Sequence, residues 1–356
     1  MSRSAPQAPK LKISVRKDGT AMDLDDVDKR LMSSLQAGLP LVREPFARVA
    51  GNTGITLTET LERTNRLVNN RIIREITPIF DARALGYSST LVVAKVDSEN
   101  PQRAAAVVNA HPGVSHNYLQ DHDFNLWFTI AIPRDSGLGL EGTLEKLMDE
   151  TGAESMHPLP ALTLFRSDQD LEADPGNEAF PDQAGAQPLD DLDIATVRTM
   201  QGPLDAIPRP FDYAAGEVGM PVDDFLAHLE GMTRRRLLRQ VAAIPSHPEA
   251  ASSARGTGLW MVPEADLPDV RRRVTSDPRV SLCHQSPVYE DWPHSVITVV
   301  HGRSKEDCRS ILDSVADDCG IGAGKRSALH SPTDFKKVRL RFFTDDYRLW
   351  EESHRT

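Results

Sequence analysis

Apolar positions near the start of the chain recur with helical spacing. They predict helices over residues 25–36, 45–50 and 58–70, with a tight turn at Gly54 before the third helix. The first helix carries its apolar face at Val27, Leu31 and Leu35. A short wing is predicted over residues 72–79, so this part has the pattern of a winged helix-turn-helix unit.

The following residues switch to β-rich runs separated by helical segments. The predicted order is strand, helix, strand, strand, helix, strand, which is that of a ferredoxin-like fold. These elements are residues 89–96, 102–110, 114–122, 125–132, 144–150 and 156–165. The second half repeats them over residues 256–262, 266–276, 280–287, 296–301, 305–318 and 335–343.

The two halves also share short stretches of sequence at a fixed offset. Residues 39–46 return as 204–211, and residues 71–76 return as 236–241, in both cases 165 positions later. The Val-Ser pair at residue 114 returns at residue 280, one position further on. We therefore interpret the chain as two fused homologous units, able to enclose a site as a heterodimer would.

The predicted fold class is α+β, with two tandem copies of a winged helix-turn-helix plus a ferredoxin-like (βαββαβ) domain. The repeat places domain boundaries in both halves, with Pro, Gly and acidic residues marking a linker between them. The predicted segments are a disordered basic tail (1–20), helix-turn-helix-like domain 1 (21–83), ferredoxin-like domain 1 (84–166), an acidic linker (167–187), helix-turn-helix-like domain 2 (188–250), ferredoxin-like domain 2 (251–346) and a C-terminal tail (347–356).

Composition narrows the class of protein. No run approaches 18 apolar residues, which argues against a transmembrane helix, and we expect no membrane partner. Three cysteines without CxxC spacing argue against disulfides or a zinc site and favour a cytoplasmic location. A net charge of −11 argues against a surface that binds nucleic acid as a whole, although a local basic pocket remains compatible.

Residues 116–128 carry the densest candidate chemistry. On a strand, alternate side chains share a face, which would put His116, Tyr118, Gln120 and His122 together. Two imidazoles and a phenol on one face could exchange protons or bind iron. The alternative is a polar strand near an interface.

The second half differs at the corresponding positions. With the offset of 166, Leu282 replaces His116 and His284 replaces Tyr118, so we predict two chemically unequal faces. Near the end of the chain, Lys337, Arg339 and Arg341 would share a strand face and could hold an anion; ordinary solvated charge is the alternative.

The third helices do not favour DNA binding. In the first copy, Glu59 and Glu62 balance Arg63 and Arg66, and the second copy is balanced in the same way. A recognition helix usually draws on several unbalanced lysines or arginines to approach phosphates. The helix-turn-helix pair still suggests a ligand-responsive transcription regulator. Because of the balanced charge, we keep it only as the alternative hypothesis.

A helix-turn-helix followed by a ferredoxin-like domain resembles the Lrp/AsnC regulators. More specifically, each copy resembles a subunit of siroheme decarboxylase. The first copy carries an HNY…NLWF pattern at residues 116–118 and 125–128, and the second carries WMVPE at 260–264, DWP at 291–293 and DFKK at 334–337. The second copy departs from the expected His-Cys-Tyr-type triplet, reading Leu-Cys-His at 282–284.

The resemblance implies removal of the C12 and C18 acetate carboxyls of siroheme, giving 12,18-didecarboxysiroheme for heme or heme d1 synthesis. It implies no added cofactor, since iron enters with the substrate. His116 is the candidate general acid, and Tyr118 would orient it or the substrate. The candidate substrate-binding residues are His122, Trp127, His284, Trp292, His294, Lys337 and Arg339.

Three hypotheses remain open from sequence. The leading one is a fused siroheme decarboxylase whose two halves pair within the chain, a further homo-oligomer being compatible with it. The second is the regulator described above. The third is a tetrapyrrole-binding protein or chaperone without catalysis, suggested by Leu282 at the position of His116.

Overall fold

The computed structural model describes residues 16–17, 20–21, 24–167, 188–246, 254–329 and 333–355. Nearly all of the predicted acidic linker and most of the predicted basic tail lie outside these residues. Within the tail, strand β1 (Arg16–Lys17) pairs with β2 (Thr20–Ala21).

Three helices form the first helix-turn-helix unit, as predicted. They are α1 (Asp26–Ala37), α2 (Pro45–Thr53) and α3 (Leu57–Asn69). Asp25 and Asp28 form a reciprocal capping box at the start of α1. Gly54 ends α2 with a φ of 74°, a left-handed conformation that favours glycine.

The ferredoxin-like elements follow in the predicted order. In the first copy the elements after α3 are β3 (Ile73–Phe80), β4 (Tyr87–Lys95), α4 (Pro101–Ala110), β5 (Val114–Leu119), β6 (Leu126–Pro133), α5 (Gly139–Thr151), β7 (Ser155–Leu159) and β8 (Thr163–Ser167). The second copy comprises α6 (Asp191–Met200), α7 (Asp212–Glu217), α8 (Val222–Arg234), β9 (Leu238–Pro245), β10 (Ala254–Trp260), α9 (Leu267–Thr275), β11 (Val280–Gln285), β12 (Val296–Gly302), α10 (Lys305–Asp318), β13 (Arg326–Leu329), β14 (Thr333–Lys337) and α11 (Asp345–Ser353).

The duplication seen in the sequence is also present in the backbone. Arg71 and Arg236, 165 positions apart, both have a positive φ, of 56° and 63°. Phe46 and Phe211 have the same spacing, and both are fully buried in one apolar cluster shared by the two helix-turn-helix units. The two units therefore form a common core.

The segment predicted as a wing has a different partner. Strand β3 pairs antiparallel with β9 of the other copy, from Ile73 opposite Pro245 to Phe80 opposite Leu238. The wing is therefore a two-stranded ribbon that joins the copies. Both strands are rich in apolar residues, and each buries them by pairing with the other copy within the same chain.

Each copy also gives its last strand to the sheet of the other. The first sheet has the order β14-β5-β6-β4-β7, and the second has the order β13-β10-β12-β11-β8. The single strands predicted over 156–165 and 335–343 were therefore wrong. The first splits into β7 and β8, and in the second the strand runs over residues 333–337.

The two sheets pack face to face. Val93 and Trp127 of the first sheet share a buried cluster with Leu259 and Ile297 of the second. The opposite faces are covered by helices, as shown by the position of Phe128 in the cluster beneath α4 and α5. The space between the sheets is therefore an interface between the two copies.

The predicted C-terminal tail is largely helical. Helix α11 packs on the first ferredoxin-like domain, where the Trp350 ring lies 4.3 Å from the ring of His111. The carboxylate of Glu351 accepts hydrogen bonds from the backbone of Gly137 and Leu138, near the start of α5. The chain end is thus attached to the first copy.

Candidate active site between the two sheets

His116 is buried on β5, with 1% of its surface exposed. A β-bulge falls between Val114 and His116 in the ladder with β6, so that Ser115 is the extra residue. The hydroxyl of Ser115 lies 2.9 Å from Nδ1 of His116. The bulge thus supplies a polar neighbour to an otherwise buried imidazole.

Tyr118 lies beside His116 on the same face of the sheet, as predicted. Their rings are stacked, with centroids 5.8 Å apart and planes 22° from parallel. Tyr118 is directly opposite Trp127 in the ladder, whose side chain belongs to the cluster between the sheets. The imidazole–phenol pair therefore faces the second copy and not the helices of its own domain.

His122 does not continue this row, contrary to the sequence-based prediction. β5 ends at Leu119, and His122 lies in the loop that follows. Its Nδ1 accepts a hydrogen bond from the backbone N–H of Phe124 at 3.0 Å. Burial lowers the pKa of His122, which favours the neutral ring that can accept this bond.

The loop between β11 and β12 brings Trp292 and His294 to His122. The ring of His122 lies 5.5 Å from that of Trp292 and 5.7 Å from that of His294. Trp292 is 5.8 Å from Trp127, which connects this group of rings to the row containing Tyr118. Two predicted residues of the second copy, Trp292 and His294, thus contact two of the first, His122 and Trp127.

Several buried polar atoms of this region have no hydrogen-bond partner among the described residues. They are Oε1 of Gln120, Nε1 of Trp292 and Nδ1 of both His284 and His294. Because unpaired buried polar atoms are costly, these four atoms are candidates for hydrogen bonds to a bound ligand. Burial lowers the pKa of His294 to about 4.

His284 occupies the position in the second copy that Tyr118 occupies in the first. It is opposite Ile297 in the ladder, whose side chain lies between the sheets. It is 4% exposed, and burial lowers its pKa to about 4. The offset of 166 inferred from sequence therefore matches the observed register, with Leu282 at the position of His116.

The basic residues of the last segment are divided by the end of β14. Lys337 is exposed and directly opposite His116 in the β14–β5 ladder. Arg339 lies beyond the strand, where its guanidinium donates to the hydroxyl of Thr77 and the carbonyl of Pro78 on β3. The shared strand face predicted for these residues was therefore wrong.

A second contact between the copies was not predicted. The ring of His157 on β7 stacks on Tyr289, 4.0 Å away, and its Nε2 lies 2.6 Å from the carboxylate of Asp291. The Tyr289 hydroxyl donates to the carbonyl of Pro158 at 2.7 Å. Periodicity gives no signal for such a contact, since it joins a loop of one copy to a strand of the other.

The cysteines do not provide a nucleophile near this site. Cys283 is fully buried, and burial raises its pKa to about 12, so the thiol stays protonated at neutral pH. Among the described residues no cluster of three His, Cys, Asp or Glu side chains could hold a metal. No helix in the same residues has the length and apolar character needed to cross a membrane.

The arginines of α3 are turned toward carboxylates of their own unit. Arg63 donates to Asp25, Asp28 and Glu59, and Arg66 donates to Asp28. The Asp28 side chain is only 2% exposed. These contacts occupy cations that a recognition helix would direct to phosphates.

Family models match both kinds of domain. Residues 84–166 and 255–336 match the AsnC-like ligand binding domain. Residues 28–74 match the siroheme decarboxylase NirDL-like helix-turn-helix domain. Both copies of the ferredoxin-like domain are thus recovered independently of the structure.

Relatives of the whole chain agree with these matches. A siroheme decarboxylase of Hydrogenobacter thermophilus is 31% identical over 324 residues, covering 90% of this chain and 96% of that protein. The siroheme decarboxylase alpha subunit of Desulfovibrio desulfuricans is 37% identical over 43% of this chain.

A solved structure has the same architecture throughout. The siroheme decarboxylase NirDL, crystallised with an iron-uroporphyrin III analogue, matches with a TM-score of 0.77 and 28% identity, over 93% of this chain and all of that one. The duplicated fold, the sequence matches and their coverage lead to one conclusion. The chain belongs to the siroheme decarboxylase family.

Proposed function

We propose that this protein is a carboxy-lyase that removes the C12 and C18 acetate carboxyls of siroheme, giving 12,18-didecarboxysiroheme. The observation that carries the proposal is the stacked His116–Tyr118 pair, buried between two homologous sheets. The relatives named siroheme decarboxylase cover this whole arrangement. The product supplies synthesis of heme or heme d1.

His116 is the proposed general acid. Loss of CO2 from a pyrrole acetate leaves an electron pair on the methylene carbon, and protonation there completes the reaction. Ser115 restrains the imidazole through Nδ1, which leaves Nε2 as the nitrogen to present the proton. Tyr118 fixes the ring from its stacked position and orients the substrate.

The surroundings separate the carboxylates that stay from the one that leaves. Lys337 is opposite His116 in the β14–β5 ladder and would hold a retained carboxylate at the exposed edge. Trp127 and Trp292 form an apolar wall deeper between the sheets. A carboxylate held against that wall is poorly solvated, which favours its loss as neutral CO2.

The remaining candidates extend this surface. His122, His294 and His284 have neutral rings at pH 7, because burial lowers the pKa of each. Neutral imidazoles can contact the macrocycle or its iron without adding charge. No added cofactor is proposed, since the macrocycle delocalises the electron pair and its iron enters with the substrate.

The two halves act as a fused heterodimer in this proposal. The β3–β9 ribbon and the exchanged strands β8 and β14 hold the halves together. The first half supplies His116 and Tyr118, and the second supplies Trp292, His294 and Lys337. The alternative of a DNA-binding regulator is disfavoured by the internal ion pairs of Arg63 and Arg66.

Anaerobic incubation of the purified protein with siroheme tests the proposal directly. Mass spectrometry should show loss of two carboxyl groups without any added redox cofactor. A substrate of unchanged mass, despite tight binding seen in its absorption spectrum, would instead support a tetrapyrrole-binding protein without catalysis. Specific retardation of upstream DNA in a gel shift would support the regulator.

A further inference from the structure

Strand β14 has a bulge that alters which of its side chains face the site. Asp334 is opposite Tyr118, and Lys337 is opposite His116, with the register shifting between Asp334 and Lys336. Residues three apart on a regular strand face opposite sides. The extra residue, Phe335, places Asp334 and Lys337 on the same side as the His116–Tyr118 pair.

The exchanged strand of the other copy has the same bulge but different chemistry. On β8, Leu164 is opposite His284, and the register shifts again between Cys283 and His284. The position of Asp334 is therefore apolar in the second copy. Both copies therefore have the bulge in the exchanged strand. The acidic side chain, Asp334, lies beside the His116–Tyr118 pair of the first copy.

Because His116 is buried, it needs a neighbouring group to recover its proton, and Asp334 is a candidate for that group. Each decarboxylation breaks one C–C bond, releases CO2 and forms one C–H bond, so each consumes one proton. Two acetates therefore require two protons. His116 is 1% exposed, and after its first transfer it must recover a proton from water through a neighbouring group.

We propose that Asp334, which the second copy contributes, relays protons from solvent to His116 through Tyr118. Asp334 is exposed, Tyr118 is partly buried, and His116 is buried, so the three form a path of decreasing solvent access. Asp334 does not touch the reacting carbon and is a positioning residue for the proton. This inference rests on the proposed decarboxylation.

The test follows both decarboxylations separately in Asp334→Asn, using siroheme and mass spectrometry. The first carboxyl should be lost at the rate of the unmodified protein, because the proposed relay acts only after the first proton transfer. The second should slow at least about tenfold, so that monodecarboxylated product accumulates. Added formate should restore the second step in the variant and leave the unmodified protein unchanged.

Two controls separate a relay from a structural role. Asp334→Glu should retain most of the second-step rate, and Asp121→Asn, at an exposed aspartate in the loop after β5, should leave both steps unchanged. A misfolded variant would lose both steps and would not respond to formate; Asp334→Ser would then be used in its place.

The failures are distinguishable. Equal rates for both steps in Asp334→Asn, or a slow second step that no small acid relieves, would overturn the relay while the decarboxylase activity stands. An unmodified protein that leaves siroheme intact would overturn the proposed function and the relay together.

Discussion

Lys337, from the end of the second copy, lies directly opposite His116 of the first copy in the β14–β5 ladder. The candidate acid and a candidate substrate-binding residue thus come from different halves of the chain. They are more than 200 positions apart in the sequence. The pairing exists because each copy gives its last strand to the sheet of the other. The site therefore depends on the association of the two copies.

Replacing His116 should slow the chemistry strongly and preserve the fold. His116→Gln keeps a polar side chain of similar length next to Ser115 but removes the proton donor. The rate should fall by about 10²–10⁴-fold, measured as carboxyl loss by mass spectrometry. Thermal unfolding should change little. Undiminished turnover would exclude His116 as the acid.

Lys337→Ala should weaken siroheme binding more than it slows the chemical step. A charge-assisted hydrogen bond contributes about 1.5–3 kcal/mol, so KM should rise about tenfold or more. Arg341→Ala removes an exposed cation beyond the strand and is the matched control. Equal KM values for the two variants would contradict the assignment of Lys337.

Arg339→Ala should act on stability and not primarily on binding. Its guanidinium donates to Thr77 and Pro78 of β3, which attaches the segment after β14 to the ribbon. We expect the free energy of unfolding, measured in urea, to fall by about 1–3 kcal/mol. A raised KM at unchanged stability would restore the sequence-based prediction that Arg339 binds substrate.

Acidification should destabilise the protein between about pH 6.5 and 4. Burial lowers the pKa of His284 and His294 from 6.5 to about 4 in the folded state. In that range the unfolded chain binds protons that the folded chain does not. The free energy of unfolding therefore decreases as the pH is lowered. For His284 the loss is on the order of 3 kcal/mol.

The double variant His284→Gln, His294→Gln should reduce this dependence. Urea unfolding at pH 7 and pH 5 gives the measurement, and the difference between the two midpoints should be smaller in the variant. A variant as sensitive to acid as the unmodified protein would show that other groups govern the loss.

Asp28→Ala should destabilise the first helix-turn-helix unit strongly. The change removes a buried acceptor shared by Arg63 and Arg66 and half of the α1 capping box. The expected loss is about 2 kcal/mol or more, measured by thermal or urea unfolding. Asp269→Ala breaks an exposed pair with Arg272 and should cost less than about 1 kcal/mol.

The sequence by itself determined most of the local elements and the duplication. Apolar periodicity predicted α10 with its observed bounds, and Gly54 and Gly219 mark the same left-handed turn in both copies. It also predicted His116 and Tyr118 on one face, because alternation along a strand is a local property. These features depend on residues close to one another in the chain.

The tertiary structure alone decided how the copies combine. The bulge at Phe335 and the exchange of β14 place Asp334 and Lys337 beside Tyr118 and His116. The apolar periodicity does not predict the exchange of β14 or its bulge, because a strand has the same alternating pattern whichever sheet it joins. His122 was misplaced for a related reason. The end of β5 is set by the hairpin with β6, a pairing between strands, and not by the composition of residues 114–122.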